Sequence, residues 1–328
     1  MKLKRLTALL LSVMLVLSLA ACGGGKDAKD DSADGDLSGK EIIIGNITPV
    51  TGAQAAYGLA ITNSIQLAID EINAAGGILG ATVKLSTKDD QGTPAEAVSG
   101  FNSLLSEGAA AIIGATLSSC TSAITSLADD EGIVLVTPSS TADSITTTDD
   151  YVFRSCFKDS FQGEMVAAYA KDQGWTKAAV LYATGDTYSS GLHDSFVKAA
   201  EKYGIEIVCE QSSSDTGAVD FSSQLATIAA SGADMLFAPY YYDAVGPKII
   251  PQAREAGFKG AIMGCDGFDG TQDYTTGDLS AYENVYFTNH YSPEDSSEIV
   301  QSYVKNYTEK YGSESMNALG ALAYDAMY

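Results

Sequence analysis

From Glu41 onward the chain alternates two kinds of apolar pattern. Short runs rich in Ile, Val and Leu ("EIIIGNI", "TVKLSTK", "AAIIGA", "GIVLVTP") are bounded by turn residues and predict strands. Between them, "AYGLAITNSIQLAIDEINAAGG" and "TPAEAVSGFNSLLSEG" place apolar residues at helical spacing. The second opens with Thr93, Pro94 and Glu96, a capping box with proline in the first turn. The pattern then repeats, with "KAAVLYA", "IEIVCEQ", "ADMLFAPYY" and "GAIMGCD" as strands. "DSFQGEMVAAYAKDQG", "SSGLHDSFVKAAEKYG", "DFSSQLATIAASG" and "DAVGPKIIPQAREAG" are the helices of this second set, the first capped by Asp159 with Gln162 three residues on. Strands alternating with helices predict an α/β fold of mostly parallel sheets flanked by helices.

About 290 residues in this pattern are many for one open sheet and suit two lobes joined by a hinge. Lobe 1 is expected over residues 41–156 and lobe 2 over 157–287, with the changeover in "YVFRSCFK". "ENVYFTNHYSP" reads as a return crossing, because the two helical segments after it, within 288–328, have no strands of their own. The apolar face of "ALGALAYDAMY" stops at Tyr328 without a cap, so the polypeptide is expected to be truncated there.

The first residues carry a different pattern. Lys2, Lys4 and Arg5 precede the apolar run "LTALLLSVMLVLSLAAC", the layout of a secretory signal over residues 1–21. Leu19-Ala20-Ala21-Cys22 resembles the lipobox of bacterial lipoproteins, which implies cleavage before Cys22 and lipid attachment to its sulfur. Residues 23–40 hold one large apolar residue among Gly, Ser, Asp and Lys, and with Cys22 read as a flexible tether. Asp30, Ser32, Asp34, Gly35, Asp36 and Glu41 nearly match a calcium loop, but the third position is Ser and no apolar helix precedes it; no metal site is expected.

Charge narrows the partners. Residues 1–21 hold three cations and no acid, so their removal takes the formal charge from −23 to −26. Nucleic acid and anionic lipid surfaces repel such a chain, which leaves the lipid anchor as its membrane contact. Cys120, Cys156, Cys209 and Cys265 form no C-x-x-C pair, which excludes the usual zinc and redox motifs. Their strand-end settings favour free buried thiols, although an exported chain has the option of pairing them.

Enzyme signals are poor. The two histidines, His193 and His290, fit no metalloprotease motif, and neither a nucleophile elbow nor a dinucleotide loop occurs. What recurs is polar residues at the carboxyl ends of strands, where open α/β sheets hold ligands. Ser118 follows "AAIIGA"; Ser139, Ser140 and Thr141 follow "GIVLVTP". In the second lobe Tyr240, Tyr241 and Tyr242 end "ADMLFAP", and Asp266 ends "GAIMGC". One lobe presents hydroxyls suited to a carboxylate, the other aromatics and an acid suited to a cation. Face to face, they match a zwitterion.

Together "TGAQAAYG", "NAAGGILG", "KDDQGTPAEAV", "EGIVLVTPSSTA", "FRSCFKDSFQGEMVA", "PYYYDA", "QAREAGFKG" and "IMGCDGFD" give the chain, from Glu41 to Tyr328, a specific likeness. It resembles the branched-chain amino-acid (Leu/Ile/Val) binding proteins of ABC importers, with the type I periplasmic-binding fold. The resemblance implies an extracytoplasmic, monomeric binding protein without cofactor or catalysis, serving a membrane permease. It places the carboxylate-binding serine on Ser118 and the segment after it on Ser139, Ser140 and Thr141. The acid for the ligand ammonium falls on Asp266, and the pocket aromatics on Tyr57, Tyr188 and Tyr241. Serines stand at 139 and 140 where the family has alanines, and Leu117 stands where some relatives have a disulfide-bonded cysteine. The added hydroxyls favour a more polar ligand than leucine. The same fold with an amide, urea or an aromatic acid as ligand stays open; a hydrolase lacks its nucleophile–base pair.

Overall fold

The computed structural model describes residues 35–147 and 150–328. The signal segment 1–21, Cys22 and most of the tether, including much of the near-calcium pattern, lie outside the described residues. Two five-stranded, all-parallel sheets form the two lobes. In lobe 1, β1 (Glu41–Thr48), β2 (Thr82–Asp89), β3 (Ala111–Gly114), β4 (Val134–Thr137) and β5 (Val152–Arg154) are ordered β2-β1-β3-β4-β5. Helices α1 (Ala55–Ala74), α2 (Pro94–Glu107), α3 (Ser118–Ser122) and α4 (Thr125–Glu131) connect them.

Lobe 2 begins with α5 (Asp159–Asp172) and continues β6 (Lys177–Ala183), α6 (Thr187–Tyr203), β7 (Glu206–Ser213), α7 (Ser222–Ala230) and β8 (Met235–Phe237). After α8 (Ile250–Glu255) come β9 (Ala261–Gly264) and β10 (Val285–Phe287), giving the order β10-β9-β8-β6-β7. The chain then returns to lobe 1 as α9 (Glu298–Tyr311) and α10 (Ala318–Met327). α10 lies close on α1: a Cβ at Gly320 would meet Ala60 O at 3.0 Å.

The apolar strand runs follow from burial on both faces. In β6, Ala178 and Val180 join one core cluster while Ala179, Leu181 and Ala183 join another. Met235 and Phe237 of β8 divide from Leu236 in the same way, as do Ala261 and Met263 of β9 from Ile262. Alternate side chains point to opposite faces, and each face is covered by helices.

Several local expectations shift. Thr93 caps α2, accepting from the Glu96 N–H, but its own N–H goes to Asp90 O, so only half of the capping box forms. Lys158, not Asp159, precedes α5, and Asp159 is the first helical residue. β5 and β10 lie inside the two segments read only as crossings; each adds three residues to a sheet edge. The tether is held from Leu37, its one large apolar residue, whose N–H donates to Leu79 O, while Thr82 N donates to Lys40 O. Among the four cysteines after Cys22, all free, Cys209 is only half-buried.

One loop carries a pH signature. Asp90, after β2, is buried and accepts only from the Gly92 N–H, and burial raises its carboxyl from 3.8 to about 6. The folded chain therefore keeps this proton between about pH 4 and 6, where the unfolded chain has lost it. Stability from this group is fully present below pH 4 and is lost as pH rises through 6, by about 3 kcal/mol. Asp90→Asn should remove that component: wild-type minus variant stability, from denaturant midpoints, falls between pH 4 and 7. A flat difference would refute the assignment.

Candidate functional site

A tight cavity, with only about 10 Å³ open to the centre of a water-sized sphere, lies between the lobes, lined by Tyr57, Thr116, Leu117, Ser118, Ser139, Tyr188, Tyr241, Asp266, Gly267 and Leu319. Its lobe 1 wall is built where β3 and β4 end. The carbonyls of Ala115 and Thr116 would be orphaned there, and hydroxyls satisfy them. Thr121 Oγ1 and Thr137 Oγ1 donate to Ala115 O at 3.0 and 2.8 Å, and Ser139 Oγ donates to Thr116 O at 2.8 Å. Ser118 Oγ accepts from Ala142 N at 3.3 Å. The two turns are thus sewn together, with Ser118 and Ser139 at the cavity surface.

Ser140 belongs to the stitching. Its hydroxyl contacts Thr121 Oγ1 at 2.6 Å and the Ala115 and Thr116 carbonyls, away from the cavity lining. Thr141 is fully buried and also outside the lining; its side chain lies against the Asp159 carboxyl. Ser118 is the first residue of α3 and does not cap it.

The lobe 2 wall is aromatic. Asp186 caps α6 by accepting from Ser189 N at 2.8 Å, which fixes the turn carrying Tyr188. Tyr188 stacks on Tyr241 with centroids 4.9 Å apart, and Tyr57 from lobe 1 meets Tyr241 edge-on at 6.5 Å. Tyr57 OH donates to Gly267 O at 2.6 Å across the lobes, and within lobe 2 Gly267 N donates to Tyr188 OH at 2.9 Å. Burial pushes the hydroxyls of Tyr57, Tyr188 and Tyr241 above the usual phenol range, so they remain neutral.

Asp266 ends β9 and is buried at the cavity edge. Its Oδ1 accepts from Gln162 Nε2 at 2.8 Å, and its backbone N donates back to Gln162 Oε1 at 3.3 Å. Thr288 Oγ1 donates to the same Gln162 oxygen at 2.8 Å. His290 Nε2 lies 3.5 Å from Asp266 Oδ2, while His290 Nδ1 accepts from Phe157 N at 3.3 Å. Phe157 and His290 lie on the two crossings, so the acid is braced by the hinge. Gln162 and His290 carry no sequence signal for this role. Neither does Leu319, whose apolar face reads as ordinary core.

Further bonds close the cleft. Gln54 Nε2 donates to Asp243 Oδ1 at 2.9 Å, Ala56 N to Tyr242 OH at 3.2 Å, and Tyr242 OH to Ala53 O at 2.9 Å. The cavity lining combines hydroxyls, a braced carboxylate and apolar surface. Ser139 donates to a backbone carbonyl, and the cavity's histidine neighbour faces Asp266. Among the described residues no cluster of His, Cys, Asp and Glu is able to hold a metal.

Residues 41–328 match the family model described as periplasmic binding protein. A "Leu/Ile/Val-binding protein homolog 3" of Brucella melitensis is 32% identical over 251 residues, covering 76% of this chain and 67% of the relative. The leucine-binding protein LivK of Thermotoga maritima superposes with a TM-score of 0.80 at 32% identity, covering 87% of this chain and 80% of the other. The branched-chain amino acid transporter substrate-binding protein LivJ of Streptococcus pneumoniae, solved with isoleucine, gives a TM-score of 0.79 at 32% identity over 88% and 82%. The chain belongs to the periplasmic binding protein family.

Proposed function

We propose that this chain is the extracytoplasmic solute-binding component of an ABC importer and that its lobes close on a free amino acid with a branched apolar side chain. The observation that carries this reading is the chemistry of the cavity lining. Ser118 and Ser139 offer hydroxyls to a carboxylate, Asp266 offers a carboxylate to an ammonium, and Leu117, Leu319 and three tyrosine rings flank an apolar side chain. Three relatives at 32% identity are named for leucine, isoleucine or valine, or were solved with isoleucine, which supports the same ligand class. Charged hydrogen bonds in a buried site are the strong ones, and micromolar affinity asks for only about −8 kcal/mol net.

Export and a lipid anchor at Cys22 complete the proposal, with a membrane permease as the receiving partner and a monomer as the working unit. No described helix is long and apolar enough to cross a membrane. The test is a thermal-shift screen of the twenty amino acids, their amides and simple carboxylic acids. A ligand at 100 times its Kd stabilises by about 2.7 kcal/mol, and leucine, isoleucine or valine should give the largest shift. Stabilisation by a carboxylic acid without an amine, and by no amino acid, would overturn the reading.

A further inference from the structure

His290 is one of only two histidines in the chain, and 1% of its side chain is exposed. Its two ring nitrogens are not equivalent. Nδ1 lies 3.3 Å from the backbone N of Phe157 on the first crossing, and a backbone N–H only donates, so Nδ1 is the bare nitrogen. The proton of the neutral ring is therefore on Nε2. That atom is buried without a hydrogen-bond partner, and the acceptor it faces is Asp266 Oδ2 at 3.5 Å. Gln162 Nε2 already donates to Oδ1 of the same carboxylate, which leaves Oδ2 for a ligand.

The other groups around the ring are acidic or neutral. Tyr291 and Asp295 of its own crossing share with it a pocket to which α9 adds Tyr303 and α10 adds Tyr324 and Asp325. Burial pushes the Tyr291 hydroxyl up to about 12 and raises those of Tyr303 and Tyr324, so all three are neutral. Hydrogen bonds from Ser297 hold Asp295 low, while burial raises Asp325. On the first crossing Phe157 packs against the imidazole with centroids 4.9 Å apart, and the neighbouring Cys156 thiol, pushed up to about 12 by burial, is neutral. α5 contributes Gln162 and the end of β10 contributes Thr288, neither of them charged. Among the described residues no Lys or Arg lines the pocket. A second proton on this ring has to go to Nδ1, where it meets the Phe157 N–H, donor against donor. The ring then carries a positive charge 3.5 Å from the oxygen that a ligand ammonium needs.

We propose that His290 is a positioning residue for Asp266 whose two charge states act in opposite directions on amino-acid capture. Neutral, it donates from Nε2–H to one lone pair of Oδ2 and turns the other toward the ligand ammonium. Protonated, the imidazolium becomes the counter-ion of Asp266 in the ammonium's stead and gives up Phe157, so proton and ligand exclude each other. The coupling is reciprocal: acid weakens amino-acid binding, and bound amino acid opposes protonation of His290 by the same factor. The inference rests on the amino-acid reading above, because only a ligand with an ammonium group competes with the imidazolium.

The test is calorimetric titration of the full chain with L-isoleucine from pH 5 to 8, the range in which an ordinary imidazole changes charge and isoleucine stays a zwitterion. Wild-type affinity should fall at least tenfold between pH 8 and 5. His290→Gln keeps a neutral donor and has nothing to titrate; it should bind up to fivefold more weakly at pH 8 and show no such fall. Asp90, with its carboxyl at about 6, and His193 are the same in both proteins, so the difference between the profiles belongs to His290. Nitrogen-15 spectra of histidine-labelled wild type contain two imidazoles, assigned by the signal that His193→Gln retains. His290 should carry its proton on Nε2 at pH 8, and saturating isoleucine should lower its protonation midpoint by about one pH unit, the counterpart of that tenfold change. A flat wild-type profile, the same slope in His290→Gln, a proton on Nδ1 or an unmoved midpoint each overturns the inference and leaves the ligand reading standing. The wild-type profile and spectra decide the matter even if His290→Gln does not fold. Failure of wild type to bind any amino acid overturns the ligand reading and this inference with it.

Discussion

Asp266→Asn is expected to lower amino-acid affinity by a hundredfold to several-thousandfold while the two lobes stay folded. The substitution keeps the side chain's shape, and its oxygen still accepts from Gln162 Nε2, which now lies 2.8 Å away. What disappears is the charge. An ammonium closed into the cleft would then lack most of its compensation, and removing one partner of a buried ion pair costs about 3–5 kcal/mol. The free protein loses little, because Gln162, Thr288 and the two backbone bonds to the Cys265 and Asp266 carbonyls still hold the turn. Calorimetric titration beside a melt of the same variant separates the roles. Near wild-type affinity with a lowered melting temperature would mean that Asp266 only builds its turn.

The second large effect is steric and lies in lobe 1. Gly58 sits one residue after Tyr57 in the first turns of α1, and a Cβ there would stand 2.0 Å from Pro49 O and 3.1 Å from Thr48 Oγ1. The obstacle is backbone, so no side-chain rotation relieves it. In Gly58→Ala the start of α1 must move off the turn after β1. Overpacking of this kind costs about 1–3 kcal/mol, occasionally more. A melting temperature lower by roughly 2–5 °C follows for a chain of this size. The same turn carries Gln54, Ala56 and Tyr57, which bond to Asp243, Tyr242 and Gly267 across the cleft. Ligand affinity should therefore fall along with stability, although residue 58 is not among those lining the cavity. Unchanged melting and binding would show that the loop after β1 yields freely.

These variants draw on different kinds of knowledge. Asp266, Ser118 and Tyr241 are visible in the sequence because parallel strands put their carboxyl ends on one edge and each of them follows a strand run, whereas Tyr57 and Tyr188 are placed only by the family resemblance. The two lobes are visible for a similar reason: helical and strand periodicities are local, and a repeat of the alternation needs no long-range contact to be recognised. The half-formed capping box at Thr93 belongs to the same class, since its partners lie within three residues.

The sequence by itself determined the α/β alternation and the strand ends that meet at the cleft. Only the tertiary structure decided which polar atoms face the cavity. Ser139 and Ser140 are adjacent and chemically identical, yet one lines the cavity and the other ties Thr121 to two carbonyls. Gln162 reads as a capping partner and instead grips Asp266, 104 residues away, while His290 reaches the same acid from the return crossing. β5 and β10 were hidden because three residues are too few to show an alternation, and an existing sheet edge is what pairs them. Asp159 reads as a cap, yet it is the first residue of α5, its carboxyl buried between α6 and Thr141. The physical reason is common to all four. Periodicity records which side of an element is apolar, but a hydrogen bond depends on which distant segment packs against it, and that is fixed only when the lobes close.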